Sequence, residues 1–310
     1  MSDTAEALQS LIDRISNPNE DFTSRHLTSL SRLSDADAVR FQSAFLMSPA
    51  SRRLQIISQI KHLAETDLVP DFSKIFLFSI NDPDQFVRAQ AALGLGLEEN
   101  EQFITPLIHM LQNDPSEVAR AAAAKSLGEF AVRGELQEIS SHGTNAVYSA
   151  LENTLLNQSE SADVRNKALA AISFFSRQKI VEFIEEAYYS GDIAMKIVSI
   201  HAMGNTCDDR WLDVLLSEFS NENADVRMAS VTACGEIGSD EAVPFLIDMV
   251  QDPETTVQEA AVHALGNIGG DEAKEALNTL MESPRKRIRT AAKTALEEIK
   301  FCEDPLSWTP

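Results

Sequence analysis

The sequence holds only three cysteines in 310 residues, Cys207, Cys234 and Cys302, too few for a disulfide scaffold. None forms a CxxC pair or sits beside a histidine pair, so a structural zinc site is excluded. The composition fits a reducing compartment, and a cytoplasmic location is expected. Aromatic residues supply only 6% of the chain, so an aliphatic core of Ala, Leu, Ile and Val is expected. No apolar run approaches the roughly 18–20 residues of a membrane span. The opening Met1-Ser2-Asp3-Thr4-Ala5-Glu6 lacks the basic stretch of a signal peptide. Cations are outnumbered: 26 Lys and Arg against 48 Asp and Glu leave a net charge of −22. A nucleic-acid binder needs cations to displace counterions from phosphate, so this balance argues against nucleic acid as partner. Nucleophile elbow, P-loop, GxGxxG and HExxH are all missing. No catalytic residue, cofactor or metal is therefore assigned. What the chain does have is a 44% apolar fraction, enough for a sizeable core.

Internal repetition supplies the architecture. The segment Asp225-Val226-Arg227-Met228-Ala229 through Gly238 parallels Thr256-Val257-Gln258-Glu259-Ala260 through Gly269, at an offset of 257 − 226 = 31. The same step carries Met203-Gly204 to Cys234-Gly235 and to Leu265-Gly266. A column of mostly cationic residues follows: Arg53, Arg88, Arg120, Arg165, Lys196, Arg227, Gln258 and Arg289. Its spacings are 35, 32, 45, 31, 31, 31 and 31, and the one long step marks an insertion near 132–145. Apolar residues at Val226, Ala229, Ala233 and Ile237 keep the helical interval. Asp82-Pro83, Asp114-Pro115 and Asp252-Pro253 are read as helix starts, with Asp as cap and Pro at the first helical position. Gly238 and Gly269-Gly270 are read as helix ends. The pattern predicts helix pairs at 36–64, 68–97, 101–131, 144–175, 178–204, 208–235, 240–268 and 271–300. A lone pair cannot bury both its faces, so the pairs must stack. The fold class is all-α, an α-solenoid of stacked antiparallel helix pairs. Residues 1–35 are read as an irregular helical cap, 36–300 as the solenoid and 301–310 as a tail.

The pattern Asp-Pro…Val-Arg…Ala…Leu-Gly…Ile-Gly resembles the HEAT-repeat family over about residues 36–300. In period it is similar to the short HEAT-like repeats first described in phycobilin lyases. The resemblance implies that each column Arg bridges to an acid of a neighbouring unit, with Asp163, Asp192 and Asp225 as available partners. It also brings two enzyme classes into view. Deoxyhypusine hydroxylase holds two irons with His-Glu dipeptides, and none of the six histidines here precedes a Glu. Alkylpurine DNA glycosylases need a cationic concave face, which this charge balance opposes.

Stepping by four from the residue after the column follows one face of each second helix. The rows include Ala89/Leu93/Leu97, Asn166/Ala170/Phe174, Ile197/His201/Asn205, Met228/Thr232/Glu236, Glu259/His263/Asn267 and Thr290/Thr294/Glu298. In solenoids of this kind that face is concave. Leu93, Phe174, Ile197, His201, Met228 and His263 form the candidate partner-binding stripe, with His201 placed to tune the contact near neutral pH. The one basic cluster, Arg285, Lys286, Arg287 and Arg289, opposes the dipole of the last helix and is a candidate contact for an acidic partner. The favoured function is a non-catalytic scaffold or adaptor for a protein or peptide, with preference for a basic target. The alternatives are a bilin lyase or isomerase acting on phycobiliproteins, and a regulatory subunit of a larger enzyme.

Overall fold

The computed structural model describes residues 2–16, 22–66 and 71–303. Among these residues every regular element is helical and none is a strand. The chain divides into two compact units, 1–172 and 173–310. In the first, α1 (Ser2–Ser16) and the short α2 (Ser24–Leu27) precede four pairs: α3 (Asp35–Met47) with α4 (Ala50–Ala64), α5 (Ser73–Ser79) with α6 (Gln85–Gly96), α7 (Ile104–Asn113) with α8 (Glu117–Glu135), and α9 (Ser141–Leu156) with α10 (Ala162–Ile172). The second unit holds α11 (Gln178–Tyr188) with α12 (Ile193–Asn205), α13 (Leu212–Ser217) with α14 (Ala224–Ile237), α15 (Val243–Met249) with α16 (Thr255–Ile268), and α17 (Gly270–Leu280) with α18 (Lys286–Glu303). Within each unit the second helices stack in chain order, and all but α4 pack against the first helix of their own pair; α3 packs on α1 and α4 on α2. This is an α-solenoid of helix pairs, as the repeat pattern requires. Of the expected tail, 304–310 lie outside the described residues, as do 17–21 of the expected cap.

The seam between stacked second helices is made of very small residues. A Cβ added to Gly235 would lie 2.7 Å from Ala264 Cα, and one added to Gly266 would lie 2.8 Å from Ala295 Cβ. Gly204 faces Ala233 and Gly96 faces Ser126 in the same manner, the Ser126 hydroxyl donating to Ala92 O at 2.8 Å. Gly96, Gly204, Gly235 and Gly266 thus let successive backbones approach to contact.

Five of the column cations hold the repeats together, whereas the buried Nε of Arg165 has no hydrogen-bond partner. Arg53 binds Asp82 with Nε at 2.7 Å and Nη2 at 2.9 Å, while Nη1 donates to Ser48 O of its own pair at 2.6 Å. Arg88 pairs likewise with Asp114, Arg120 with Glu160 and Arg227 with Asp252. Lys196 substitutes with an ammonium on Glu218 at 2.6 Å. Each bidentate pair ties one repeat to the next through charge-assisted bonds. The implied bridge therefore exists, but its acids are not Asp163, Asp192 and Asp225. Asp192 instead accepts from the amides of Ala194 and Met195 and caps α12. Three of the true partners sit six residues before the next column residue (88 − 82, 120 − 114, 258 − 252).

That placement also corrects the reading of the Asp-Pro pairs. Asp82, Asp114 and Asp252 are not N-caps; each accepts the amide two residues on, Asp84, Ser116 or Glu254, at 2.8 Å. The helices begin one residue later still, so the prolines lie in the turn ahead of them. One carboxylate thus shapes the turn and receives the guanidinium at once.

Two further expectations change. The insertion near 132–145, whose glycines and serines would suit a loop, instead lengthens α8 to 19 residues and α9 to 16, placing Gly134 and Gly143 inside helices. The core is not uniformly aliphatic either. In the first unit Phe41, Phe45, Phe72, Phe76 and Phe130 are fully buried, and the Phe45 and Phe78 rings meet edge to face at 5.6 Å. Overall composition does not show where along the chain the buried rings gather.

Cys207 lies 31 residues before Gly238 and takes the same left-handed conformation, φ 48° against 77°. A side chain in that region costs roughly 1–2 kcal/mol. Cys207→Gly is expected to stabilise the protein by about 1 kcal/mol, part of the gain being offset by the greater freedom of Gly when unfolded. Urea unfolding checks this; a midpoint that falls would contradict it.

Candidate partner-binding surface

The predicted stripe divides between the units. Leu93 lies half-buried on α6 in the first. In the second, Ile197 and His201 on α12 and Met228 on α14 are half-buried, and His263 on α16 is exposed. Phe174 is half-buried in the segment leading to α11. Ile197 and Met228 occupy equivalent places on stacked neighbours, so large apolar side chains line one face there without being covered. Burial lowers the pKa of His201 below the ordinary imidazole value, which favours its neutral form.

Two clefts of the second unit adjoin the stripe. One, of about 690 Å³, is lined by Phe174 and Asn205 with Trp211, Ile180 and Val181, and by Arg177 and Arg210. Arg210 is already tied to Asp208 at 2.6 Å. The other, of about 520 Å³, lies at the last turns of α14, α16 and α18 and includes Glu236, Asn267 and Glu298. Asn205, Glu236, Asn267 and Glu298 are one row of the repeat, each 31 residues from the last. The row was legible in the sequence. That it ends each stripe in a cleft was not, because this depends on how closely the helix ends approach.

The basic cluster is partly consumed inside the fold. Arg285 donates to Gln258 Oε1 and Gln251 Oε1, both at 2.6 Å, and Arg289 donates to Ser283 O at 2.6 Å. Gln258, neutral where its neighbours carry Arg, provides the acceptor that Arg285 uses. Arg287 reaches Glu259 at 3.7 Å while remaining largely exposed, and Lys286 is exposed. Much of the cluster thus has a structural reason independent of any acidic partner.

Among the described residues no group of three or more His, Cys, Asp and Glu is placed to hold a metal, and no helix is long and apolar enough to cross a membrane.

Stacked helix pairs joined by repeat-to-repeat ion pairs define a helical-repeat protein. Residues 44–128 and 212–297, more than half of the chain, match the family model described as HEAT repeats, and the chain belongs to that family. No curated protein sequence matches it. Among solved structures it is similar to the Escherichia coli protein YIBA, at 15% identity over 92% of this chain and 99% of that one, with a TM-score of 0.49. It is also similar to Kap95p, solved with RanGDP, at 14% identity over 98% of this chain and 48% of that one, TM-score 0.47. A third likeness is human deoxyhypusine hydroxylase in complex with glycerol, at 14% identity over 96% and 97%, TM-score 0.36.

Proposed function

We propose that the protein is a non-catalytic scaffold that holds a protein or peptide segment along the second-helix face of its second unit. The observation that carries this reading is the half-buried apolar pair Ile197 and Met228 on α12 and α14, with Phe174 lining a cleft of about 690 Å³. A solvated helix face would be polar at these places, and desolvated apolar anchors dominate binding energy. The net charge of −22 favours a basic partner and raises its association rate in a salt-sensitive way.

The test replaces Phe174, Ile197 and Met228 together by Ser. Each anchor contributes about 2 kcal/mol, and such contributions are not additive, so affinity for a partner isolated with the intact chain is expected to fall by between roughly a hundredfold and ten-thousandfold. Circular dichroism shows whether the variant keeps its helices. A folded variant that binds with unchanged affinity would refute the groove reading.

A further inference from the structure

The cleft of about 690 Å³ departs from the repeat at two of its lining residues. Trp211 stands where the next two repeats carry the buried Ala242 and Ala273 (242 − 211 = 31, 273 − 211 = 62). It lines the cleft and is only 4% exposed, and its indole Nε1 has no hydrogen-bond partner. Arg177 stands 31 residues before Asp208, which accepts the Arg210 amide at 3.0 Å and so caps its own helical turn. An arginine cannot accept, and α11 begins with no capping side chain and no acid in its first turn.

The acceptors of the cleft are meanwhile in use. Asp208 also holds Arg210 Nε at 2.6 Å. At the end of α12, Met203 O accepts the Thr206 hydroxyl at 2.7 Å and Gly204 O the Cys207 amide at 2.9 Å. Asp209, exposed, is the one other carboxylate of the lining. The excess is therefore of donors: the buried indole N–H and the uncapped positive end of α11, with the cation of Arg177 beside them. A buried donor without an acceptor is costly, and an acceptor brought by a ligand offsets that cost. The remaining walls are apolar, from Phe174, Phe175, Ile180 and Val181. Apolar walls and surplus donors together suit a residue with an apolar side chain and a carboxylate on the same Cα. In a polypeptide only the C-terminal residue has both.

We infer that this cleft takes the C-terminal residue of the bound segment, its apolar side chain against Phe174, Ile180 and Trp211 and its carboxylate held by the start of α11, Arg177 and the Trp211 indole. Capture of a chain end by backbone amides is an established mode of peptide recognition. The inference rests on the scaffold reading above and adds an end and a direction to it. The preference for basic residues then falls on the part of the segment that precedes the terminal one.

The experiment pans two libraries of random dodecapeptides against the intact chain, one displayed with free C-termini and one with C-termini fused to the carrier. Enriched peptides are made with a free or an amidated C-terminus and measured by fluorescence polarisation. The targets are the wild type, a cleft variant (Arg177→Gln with Trp211→Phe) and a stripe variant (Ile197→Ser with Met228→Ser). Amidation alters the peptide alone, so that comparison does not depend on how a variant folds. Peptides ending in an apolar residue, enriched from the free-end library and weakened roughly tenfold by amidation and by the cleft variant, support the inference. Peptides that bind equally well when amidated, or equally well to the cleft variant, overturn it; if the stripe variant loses them, the groove reading stands. Binding unchanged on both variants overturns both readings, as does the absence of any enriched peptide.

Discussion

Arg227→Met is expected to destabilise the second unit by about 3 kcal/mol or more. The guanidinium is nearly buried and donates to both oxygens of Asp252, at 2.7 and 2.9 Å, and to Asn221 O at 2.8 Å. Removing it leaves Asp252, itself buried, as an uncompensated charge. The double change Arg227→Met with Asp252→Asn removes both charges while the Asn can still accept the Glu254 amide. It is expected to recover part of the loss, which urea unfolding of the four proteins in the cycle will measure. A double variant no more stable than Arg227→Met would show that the pair is not the unit of stabilisation.

Acidity provides a second handle on the same pair. Burial alone would raise the pKa of Asp252, but hydrogen bonds from Arg227 and the Glu254 amide, with the charge of Arg227, outweigh it and hold the group below its ordinary value. Asp114 is lowered by the same balance against Arg88. A carboxylate lowered on folding contributes stability above its unfolded pKa and loses it as pH falls through the folded one. The gap between wild type and Arg227→Met should thus be full above about pH 5 and shrink below about pH 4.

Gly235→Val is expected to cost about 3 kcal/mol, at the upper end of overpacking in a tight core. The first added carbon would lie 2.7 Å from Ala264 Cα and 2.8 Å from its Cβ, so α14 and α16 must separate along their seam. The gain in helix propensity over Gly, under about 1 kcal/mol, does not offset this. Gly238→Ala supplies the contrast. Nothing lies within 4 Å of its added carbon, and only its φ of 77° is strained, so its cost should stay near 1–2 kcal/mol. Thermal unfolding of both variants compares them directly; equal losses would mean that helix spacing does not depend on Gly235.

These two positions show how far the sequence could be read. Both were visible as repeat columns, and the helix pairs built from those columns match the observed elements closely. The function of each column was harder to see. The Gly before Glu236 looks like any helix glycine until Ala264 of the next repeat is placed against it. The ladder acids were sought near helix starts, because capping is a local effect that sequence displays. Asp82, Asp114 and Asp252 instead answer a cation 25 to 29 residues earlier. No local rule connects residues that far apart.

The sequence by itself determined that the chain is helical, that its helices come in pairs, and which residues share a face. Those properties follow from periods of about four and 31 residues, which need no knowledge of the partner helix. Only the tertiary structure decided which carboxylate meets which guanidinium, and that α8 and α9 absorb the insertion. It alone laid Glu236 over Gly204 at the mouth of a cleft. Each of these depends on the distance between stacked helices. That distance is set by side-chain volume on both sides of the seam, which a single strand of sequence does not bring together.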